Sequence, residues 1–131
     1  MFAHEKLIAA WLRKAEHDIG TARAAAEKEF YDTACYHCQQ SAEKIVKGFL
    51  VKYLVEFEKI HDLESLFADA AQFNASWLKY KDQAIALTRF AVEVRYPSDD
   101  EPTMEDYTVA IKCADEIMTF ARPLLQSSNQ E

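Results

Sequence analysis

Three basic residues have the side-chain types and positions to bind an anion. Lys44 and Lys47 lie on one predicted helix, and Arg95 stands at the end of another, in the stretch Arg95-Tyr96-Pro97. An arginine offers a phosphate a planar fork of N–H donors, and a lysine offers a mobile point charge. In the structural alternative, both lysines lie on a solvated helix face and Arg95 offsets the negative end of its helix dipole. On residue types alone, the structural alternative is the commoner of the two.

Three further titratable residues could serve such a site. Asp18 lies near the edge of an apolar stripe, where it is either a partly buried partner for a cation or a surface carboxylate. His37 stands beside two cysteines, and such a histidine is more often packed and hydrogen-bonded than a ligand or a base. His61 precedes a predicted helix, where it either caps that helix or lines a cleft.

The sequence does not predict a metal site. Cys35 and Cys38 lie one helical turn apart, but a closed site needs about four ligands, and only His61 and Cys113 remain as distant candidates. Without a secretion signal, the cysteines are predicted to be buried reduced thiols. The acidic loop at 99–105 lacks the alternating ligands and central glycine of a calcium loop. We therefore expect no metal and no cofactor.

About five helices are predicted to position these residues. Gly occurs twice and Pro three times in 131 residues, which favours long helices over strands joined by tight turns. Apolar residues at three- and four-residue steps predict helices over about 4–28, 32–55, 76–94 and 103–125, with a short one after His61. We expect an all-α, up-and-down bundle that forms one domain over residues 1–126, followed by a frayed polar tail over 127–131.

The predicted second helix has two faces of different chemistry. An apolar stripe consists of Ala34, Cys35, Cys38, Ala42, Ile45, Phe49 and Tyr53, widened by Val46, Leu50 and Leu54. A second, polar stripe consists of His37, Gln40, Lys44 and Lys47, with Val51 at its end. The apolar stripe is predicted to face the core of the bundle, so the polar stripe is left to solvent or to a binding site.

Caps and glycines give further local predictions. Asp32 is predicted to cap the second helix, and Thr103 with Asp106 matches a capping box at the start of the last. Gly20 and Gly48 both lie inside predicted helices, where glycine is unfavourable. A close approach between the first two helices would compensate for that cost.

Charge and hydropathy exclude several classes of protein. The net charge of −7 argues against a protein that coats nucleic acid, which requires clustered positive charge. The N-terminal stretch lacks the basic and apolar regions of a secretion signal, and no run of about 18 uncharged apolar residues occurs. We expect a soluble cytoplasmic protein that does not enter a membrane.

Four stretches share a pattern with a known family. They are WLRKAEHDIGTA, with an acidic residue at Asp18, then FYDTACYHCQQSAEKIVKGFL, then HDLESLF, and finally VRYPSDD with its Arg-Tyr-Pro corner. In this order they resemble the first three helices and the corner of stand-alone HEPN proteins, the "higher eukaryotes and prokaryotes nucleotide-binding" domains. The resemblance covers about residues 9–122. It implies a small helical bundle that forms a homodimer, with a polar cleft at or near the dimer interface.

The resemblance also implies partners. Family members typically accompany a minimal nucleotidyltransferase in two-component, often toxin–antitoxin, systems, and a nucleotide such as ATP is an implied ligand. Many members are metal-independent ribonucleases with an Arg followed by four to six residues and then a His. Here Arg95 stands at the matching place, but Asp100, Glu101 and Pro102 occupy the positions for the histidine. A carboxylate there would repel the RNA backbone and could not act as the cationic partner of a cleaved phosphate.

The departure from the ribonuclease motif favours a binding or regulatory subunit over an enzyme. The candidate binding residues are Arg95, Tyr96, Lys44, Gln40, Lys47 and Asp18, with Asp18 orienting Arg95, and His37 and His61 are secondary candidates. The alternative is an atypical ribonuclease that uses Arg95 with His37 or His61, and RNA is a partner only in that case. A third interpretation makes the Arg-Tyr-Pro corner purely structural.

Overall fold

The fold is a bundle of helices, as the sequence predicts. The computed structural model describes residues 2–57, 62–92, 97 and 100–126. These contain α1 (Phe2–Glu27), α2 (Tyr31–Val51), α3 (Leu63–Ala71), a 3-10 helix (Ala75–Tyr80), α4 (Lys81–Thr88) and α5 (Met104–Gln126). No strand occurs in the described ranges. The predicted all-α architecture of about five helices is confirmed.

The core is built around α2, which contacts α1, α3, α4 and α5. Trp77, which belongs to the 3-10 helix, is fully buried at the centre of the core. The Trp77 ring lies 5.2 Å from Phe49, 5.0 Å from Phe67 and 5.0 Å from Phe120, measured between ring centroids. These aromatic contacts fix one side of α2 against α3 and α5, so its other side is left to face α1.

The close approach of α1 and α2 occurs at only one of the two glycines. A Cβ added to Gly48 would lie 2.7 Å from Trp11 Cβ and 2.6 Å from Leu125 Cδ2, which is too close for any side chain. A Cβ added to Gly20 would meet no atom within 4 Å. The predicted close approach is confirmed at Gly48 and is wrong at Gly20, which faces solvent.

Both α1 and α2 end in residues that sequence patterns do not mark as helix ends. Glu29 and Leu54 adopt left-handed backbone angles, with φ of 63° and 59°. The amides of Phe30 and Val55 bond back to the carbonyls of Ala25 and Leu50, at 2.9 and 3.3 Å. This is the Schellman arrangement, which usually places glycine in the left-handed position. The predicted second helix is therefore too long, ending at Val51 rather than 55, and Leu54 is 70% exposed instead of widening the apolar stripe.

The predicted caps are found at one of the two positions. Phe30, not Asp32, is the N-cap residue of α2, and Asp32 lies in the first turn, where its carboxylate accepts from the Thr33 amide at 2.8 Å. At α5 the capping box is confirmed, because the Thr103 amide donates to Asp106 at 2.9 Å and the Asp106 amide donates to the Thr103 hydroxyl at 3.2 Å.

The predicted fourth helix is in fact two short elements. The Asn74 side chain accepts from the Ser76 amide at 3.0 Å and begins the 3-10 helix, and Tyr80 then separates it from α4 with non-helical angles. Helix α4 ends at Thr88, and residues 93–94 of the prediction lie outside the described residues. Trp77, Ala84 and Leu87, three of the apolar residues on which the prediction of a helix over 76–94 rests, are nevertheless buried.

The last helix continues through its proline. Pro123 lies inside α5, which extends to Gln126. Lys52, just beyond α2, donates to the Leu124 carbonyl at 2.8 Å, so the end of α5 is attached to the end of α2. None of the described helices is long and apolar enough to cross a membrane.

Candidate functional site

Asp18 joins α1 to α2 through two hydrogen bonds. Its neighbours Ala15 and Ala22 are fully buried, which brings this face of α1 against α2 and leaves Asp18 only 5% exposed. Asp18 Oδ1 lies 2.7 Å from His37 Nδ1, and Asp18 Oδ2 lies 2.7 Å from Lys44 Nζ. These three residues are called the Asp18 cluster below. A carboxylate oxygen accepts hydrogen bonds, so we assign Nδ1–H of His37 as the donor in its bond to Asp18.

A second polar group runs along α2 itself. Gln40 Nε2 donates to Gln39 Oε1 at 2.8 Å, and Gln39 Nε2 donates to Glu43 Oε1 at 3.2 Å. Lys47 Nζ donates to Glu43 Oε2 at 2.7 Å and lies 5.6 Å from the centre of the Phe57 ring. Gln39 is fully buried, and Glu43 and Lys47 are less than 10% exposed. The four residues Gln39, Gln40, Glu43 and Lys47 are called the α2 polar chain below.

The two lysines of α2 therefore differ in their surroundings. Lys47 is buried and paired, so the interpretation that places it on a solvated helix face is wrong. Lys44 keeps 29% of its side chain exposed and is held by Asp18. Of the two, only Lys44 can meet a ligand without a change in the core.

The predicted site residues fall into these two groups and a third that the structure does not describe. Asp18, His37 and Lys44 come together, whereas Gln40 and Lys47 belong to the α2 polar chain. Arg95, Tyr96 and His61 lie outside the described residues, so the orientation of Arg95 by Asp18 stays a prediction.

The sequence pattern missed Gln39 and Glu43 as members of a polar group. Gln39, Glu43 and Lys47 follow one another at four-residue steps, which is the spacing of neighbours on a helix face. That spacing was available in the sequence. The burial of the group could not be read from that spacing, because Phe57, which covers Lys47, lies beyond the end of α2.

A groove opens on the surface beside Lys44. It has a volume of about 330 Å³ and is lined by Leu7, Ala10, Trp11, Lys14 and Lys44. This is called the Trp11 groove below. Trp11 is held on one side by the close approach at Gly48 and on another by the edge of Phe57, with 5.9 Å between ring centroids and 74° between ring planes. The apolar periodicity of α1 places Trp11 in the core, whereas it is only partly buried.

The cysteines have the properties of structural thiols. Cys35 and Cys38 are fully buried, and Cys113 is partly buried. Burial raises the pKa of Cys35 to about 12 and raises the pKa of Cys38 further. A thiol with a raised pKa is a poor nucleophile and a poor metal ligand near neutral pH. Within the described ranges, no three His, Cys, Asp or Glu residues are grouped so as to hold a metal ion.

Comparison with known proteins agrees with the observed fold. A family model described as the HEPN domain matches residues 8–124. The crystal structure of an archaeal HEPN homologue is similar to this chain with a TM-score of 0.73 and 26% sequence identity, covering 90% of this chain and 97% of the homologue. A search of curated proteins gave no match. The matched range runs from the first half of α1 to the last turns of α5, and on this ground the chain belongs to the HEPN domain family.

Proposed function

We propose that this HEPN protein is a nucleotide-associated binding or regulatory subunit. Its partner is a minimal nucleotidyltransferase in a two-component or toxin–antitoxin system, and the protein does not itself cleave RNA. The observation that carries the proposal is Lys44, a partly exposed cation that a nearly buried carboxylate fixes in place.

Lys44 is well suited to contact a phosphate. A lysine ammonium has three N–H donors, and its bond to Asp18 uses one of them. A side chain that is already held in position loses less conformational freedom when it binds a ligand. The Asp18 cluster therefore presents a preorganised cation on a protein whose net charge is −7.

The sequence after Arg95 supports a binding role over cleavage. The positions at which the family's nucleases carry histidine hold Asp100, Glu101 and Pro102. None of these side chains can donate a proton from a cationic state to a leaving group at neutral pH. Arg95 and Tyr96 then remain as contacts for a nucleotide or for the partner subunit.

Calorimetric titration tests the nucleotide part of the proposal. The folded protein is titrated with ATP, with and without Mg²⁺, and the titration is repeated on Lys44→Gln and Arg95→Ala. Glutamine can still bond to Asp18 but carries no charge, so we expect Lys44→Gln to bind ATP roughly tenfold more weakly. Lys112→Gln is the matched control, because Lys112 is 78% exposed on α5. No saturable heat from the folded wild-type protein would contradict nucleotide association.

Co-purification tests the partner part of the proposal. The tagged chain is co-expressed with a minimal nucleotidyltransferase encoded beside it, and the two are expected to elute together in a fixed ratio. Arg95→Ala is expected to weaken this association. If the wild-type chain elutes alone at every salt concentration, it is not the subunit of that enzyme.

The ribonuclease alternative is favoured by one observation, the bond between Asp18 and His37. A carboxylate on Nδ1 fixes the imidazole orientation and leaves Nε2 to exchange protons, as in general acid–base catalysis. His37 is 25% exposed, so a substrate could reach it. In this case the protein cleaves RNA in the presence of a chelator, and His37→Asn and Arg95→Ala abolish cleavage. No cleavage by the wild-type protein would leave the binding role.

A further inference from the structure

The Trp11 groove combines an aromatic ring with two cations. Among the residues that the structure describes, its lining holds Trp11, Lys14 and Lys44 and no carboxylate, although Lys44 is paired with Asp18 behind it and the whole chain has seven more acidic than basic side chains. The remaining lining residues, Leu7 and Ala10, are apolar. We propose that this groove binds a nucleoside phosphate, with the base against the Trp11 indole and the phosphate between Lys14 and Lys44. This inference rests on the proposed function, for which it names the site and the ligand class.

The indole is placed to act as a stacking surface. Trp11 packs closely at Gly48 and against the Phe57 ring, and it is partly buried where it lines the groove. A fixed aromatic ring gains contact with a base and loses little conformational freedom. Stacking of a base on an aromatic side chain tolerates any base, because every base presents a π face. The groove therefore predicts affinity for nucleosides without strong selectivity among bases.

The two lysines supply the phosphate contact from different helices. Lys44 is anchored to Asp18 at 2.7 Å and comes from α2, whereas Lys14 is exposed and comes from α1. An anion that contacts both ammonium groups makes charge-assisted hydrogen bonds, which are the strong ones. The anchored lysine provides a fixed point, and the exposed lysine can adjust to the position of the phosphate.

The size and charge of the groove favour a mononucleotide over other anionic ligands. Pockets for small ligands have volumes of about 300–1,000 Å³, and the groove, at about 330 Å³, is at the lower end of this range. A polymeric nucleic acid needs an extended basic surface, which a chain of net charge −7 does not favour. Free phosphate would use the lysines but leave the indole without a role.

A fluorescence titration tests the proposal directly. The chain has two tryptophans, and Trp77 is fully buried, so quenching of the exposed component of emission reports on Trp11. AMP and ATP are expected to quench this component, and adenosine to quench it at higher concentration. Inorganic triphosphate is expected to compete without quenching. An acidic peptide that displaces AMP and itself binds more tightly would overturn the proposal in favour of a protein partner.

Charge-neutral variants then locate the phosphate. Lys14→Gln and Lys44→Gln are each expected to weaken ATP binding roughly tenfold while adenosine binding is unchanged, because only the phosphate contact is lost. Lys112→Gln is the control, and Lys14 is exposed, so its replacement does not threaten the fold. Trp11→Phe, which keeps a ring against Gly48, should weaken adenosine and ATP alike.

The outcomes separate this inference from the proposed function. ATP can bind without quenching Trp11 and without being weakened by either lysine variant. In that case the groove is not the binding site, and the nucleotide binds at another place in the protein. Arg95→Ala is then the next variant to test. If the folded wild-type protein binds no nucleotide, both the groove and nucleotide association are wrong. The partner role is then judged by co-purification alone.

Discussion

Lys47 is a buried cation whose carboxylate partner stands one helical turn earlier. Replacing Lys47 with Ala leaves the nearly buried Glu43 without the lysine that lies 2.7 Å away. Removal of one member of a buried ion pair typically costs about 3 kcal/mol, and we expect a loss of that size in the free energy of unfolding. Urea denaturation measures it.

A double replacement tests whether the charge or the packing is responsible. In Glu43→Gln with Lys47→Met, neither charge is buried, and the side-chain volumes are nearly kept. We expect this double variant to be more stable than Lys47→Ala, because a nearly buried carboxylate that has lost its lysine costs more than removal of both charges. Equal loss in the two proteins would show that loss of the ion pair itself, and not the charge left on Glu43, sets the stability.

Cys35 and Cys38 make the stability of the protein fall as the pH rises in the alkaline range. Burial raises the pKa of Cys35 to about 12 in the folded state, whereas an unfolded cysteine ionises near 8.5. Between these pH values the unfolded chain has released a proton that the folded chain keeps, so the free energy of unfolding falls as pH rises. The slope is about 1.4 kcal/mol per pH unit for each such thiol.

Replacement of one thiol isolates this effect from other titrating groups. Cys35→Ala is expected to be less stable than wild type at pH 7, because it removes a fully buried side-chain atom. Its stability should fall less steeply between pH 9 and pH 10.5, as measured by urea denaturation at each pH. If the stability of the two proteins fell equally with pH, the raised pKa of Cys35 would not be the cause of the pH dependence.

At the scale of elements, the two glycines give opposite predictions for the same substitution. Gly48→Ala would place Cβ 2.7 Å from Trp11 Cβ, an atom too near the α1 backbone to move cheaply. We expect a loss of about 1–3 kcal/mol, the usual cost of overpacking. Gly20→Ala meets nothing within 4 Å and should stabilise α1 by about 1 kcal/mol. Thermal unfolding of the two variants measures whether each substitution lowers or raises the stability. A Gly48→Ala protein as stable as wild type would show that α1 and α2 can move apart.

The helices and the capped start of α5 could be predicted from sequence, whereas the end of α2 and the division of the fourth helix could not. Apolar residues at three- and four-residue steps locate α1, α2 and α5, because burial of one face is the main source of helix stability. Glu29 and Leu54 carry no helix-end signal, since glycine usually occupies the left-handed position of a Schellman motif. The division of the predicted fourth helix depends on the angles at Tyr80, which apolar spacing does not report.

The sequence did not show how deeply each side chain of the site is buried. Helical spacing placed Lys44 and Lys47 on one polar stripe, but Lys47 is 7% exposed and Lys44 is held at the surface. The difference arises from Phe57 and Asp18, which belong to other segments of the chain. Trp11 lies on the apolar periodicity of α1 but is only partly buried, because spacing along one helix does not show what covers a residue.

At the scale of the whole molecule, the family resemblance implies a homodimer. Side chains such as Leu78 and Ile85 are 56% and 47% exposed, which is consistent with a surface that a second copy covers. We expect sedimentation equilibrium at micromolar concentration to give twice the mass of the chain. A concentration-independent monomer would contradict the homodimer and would remove the dimer interface as a place for the nucleotide.

The central position of α2 sets an order in which the backbone amides of the protein exchange with solvent. Because α2 contacts four other helices, carries the α2 polar chain and is joined to α1 through Asp18, its amides open only when most of the bundle opens. Deuterium uptake should therefore be slowest at the amides of Ile45 to Leu50. The amides of α4, an eight-residue helix, should exchange many times faster under the same conditions.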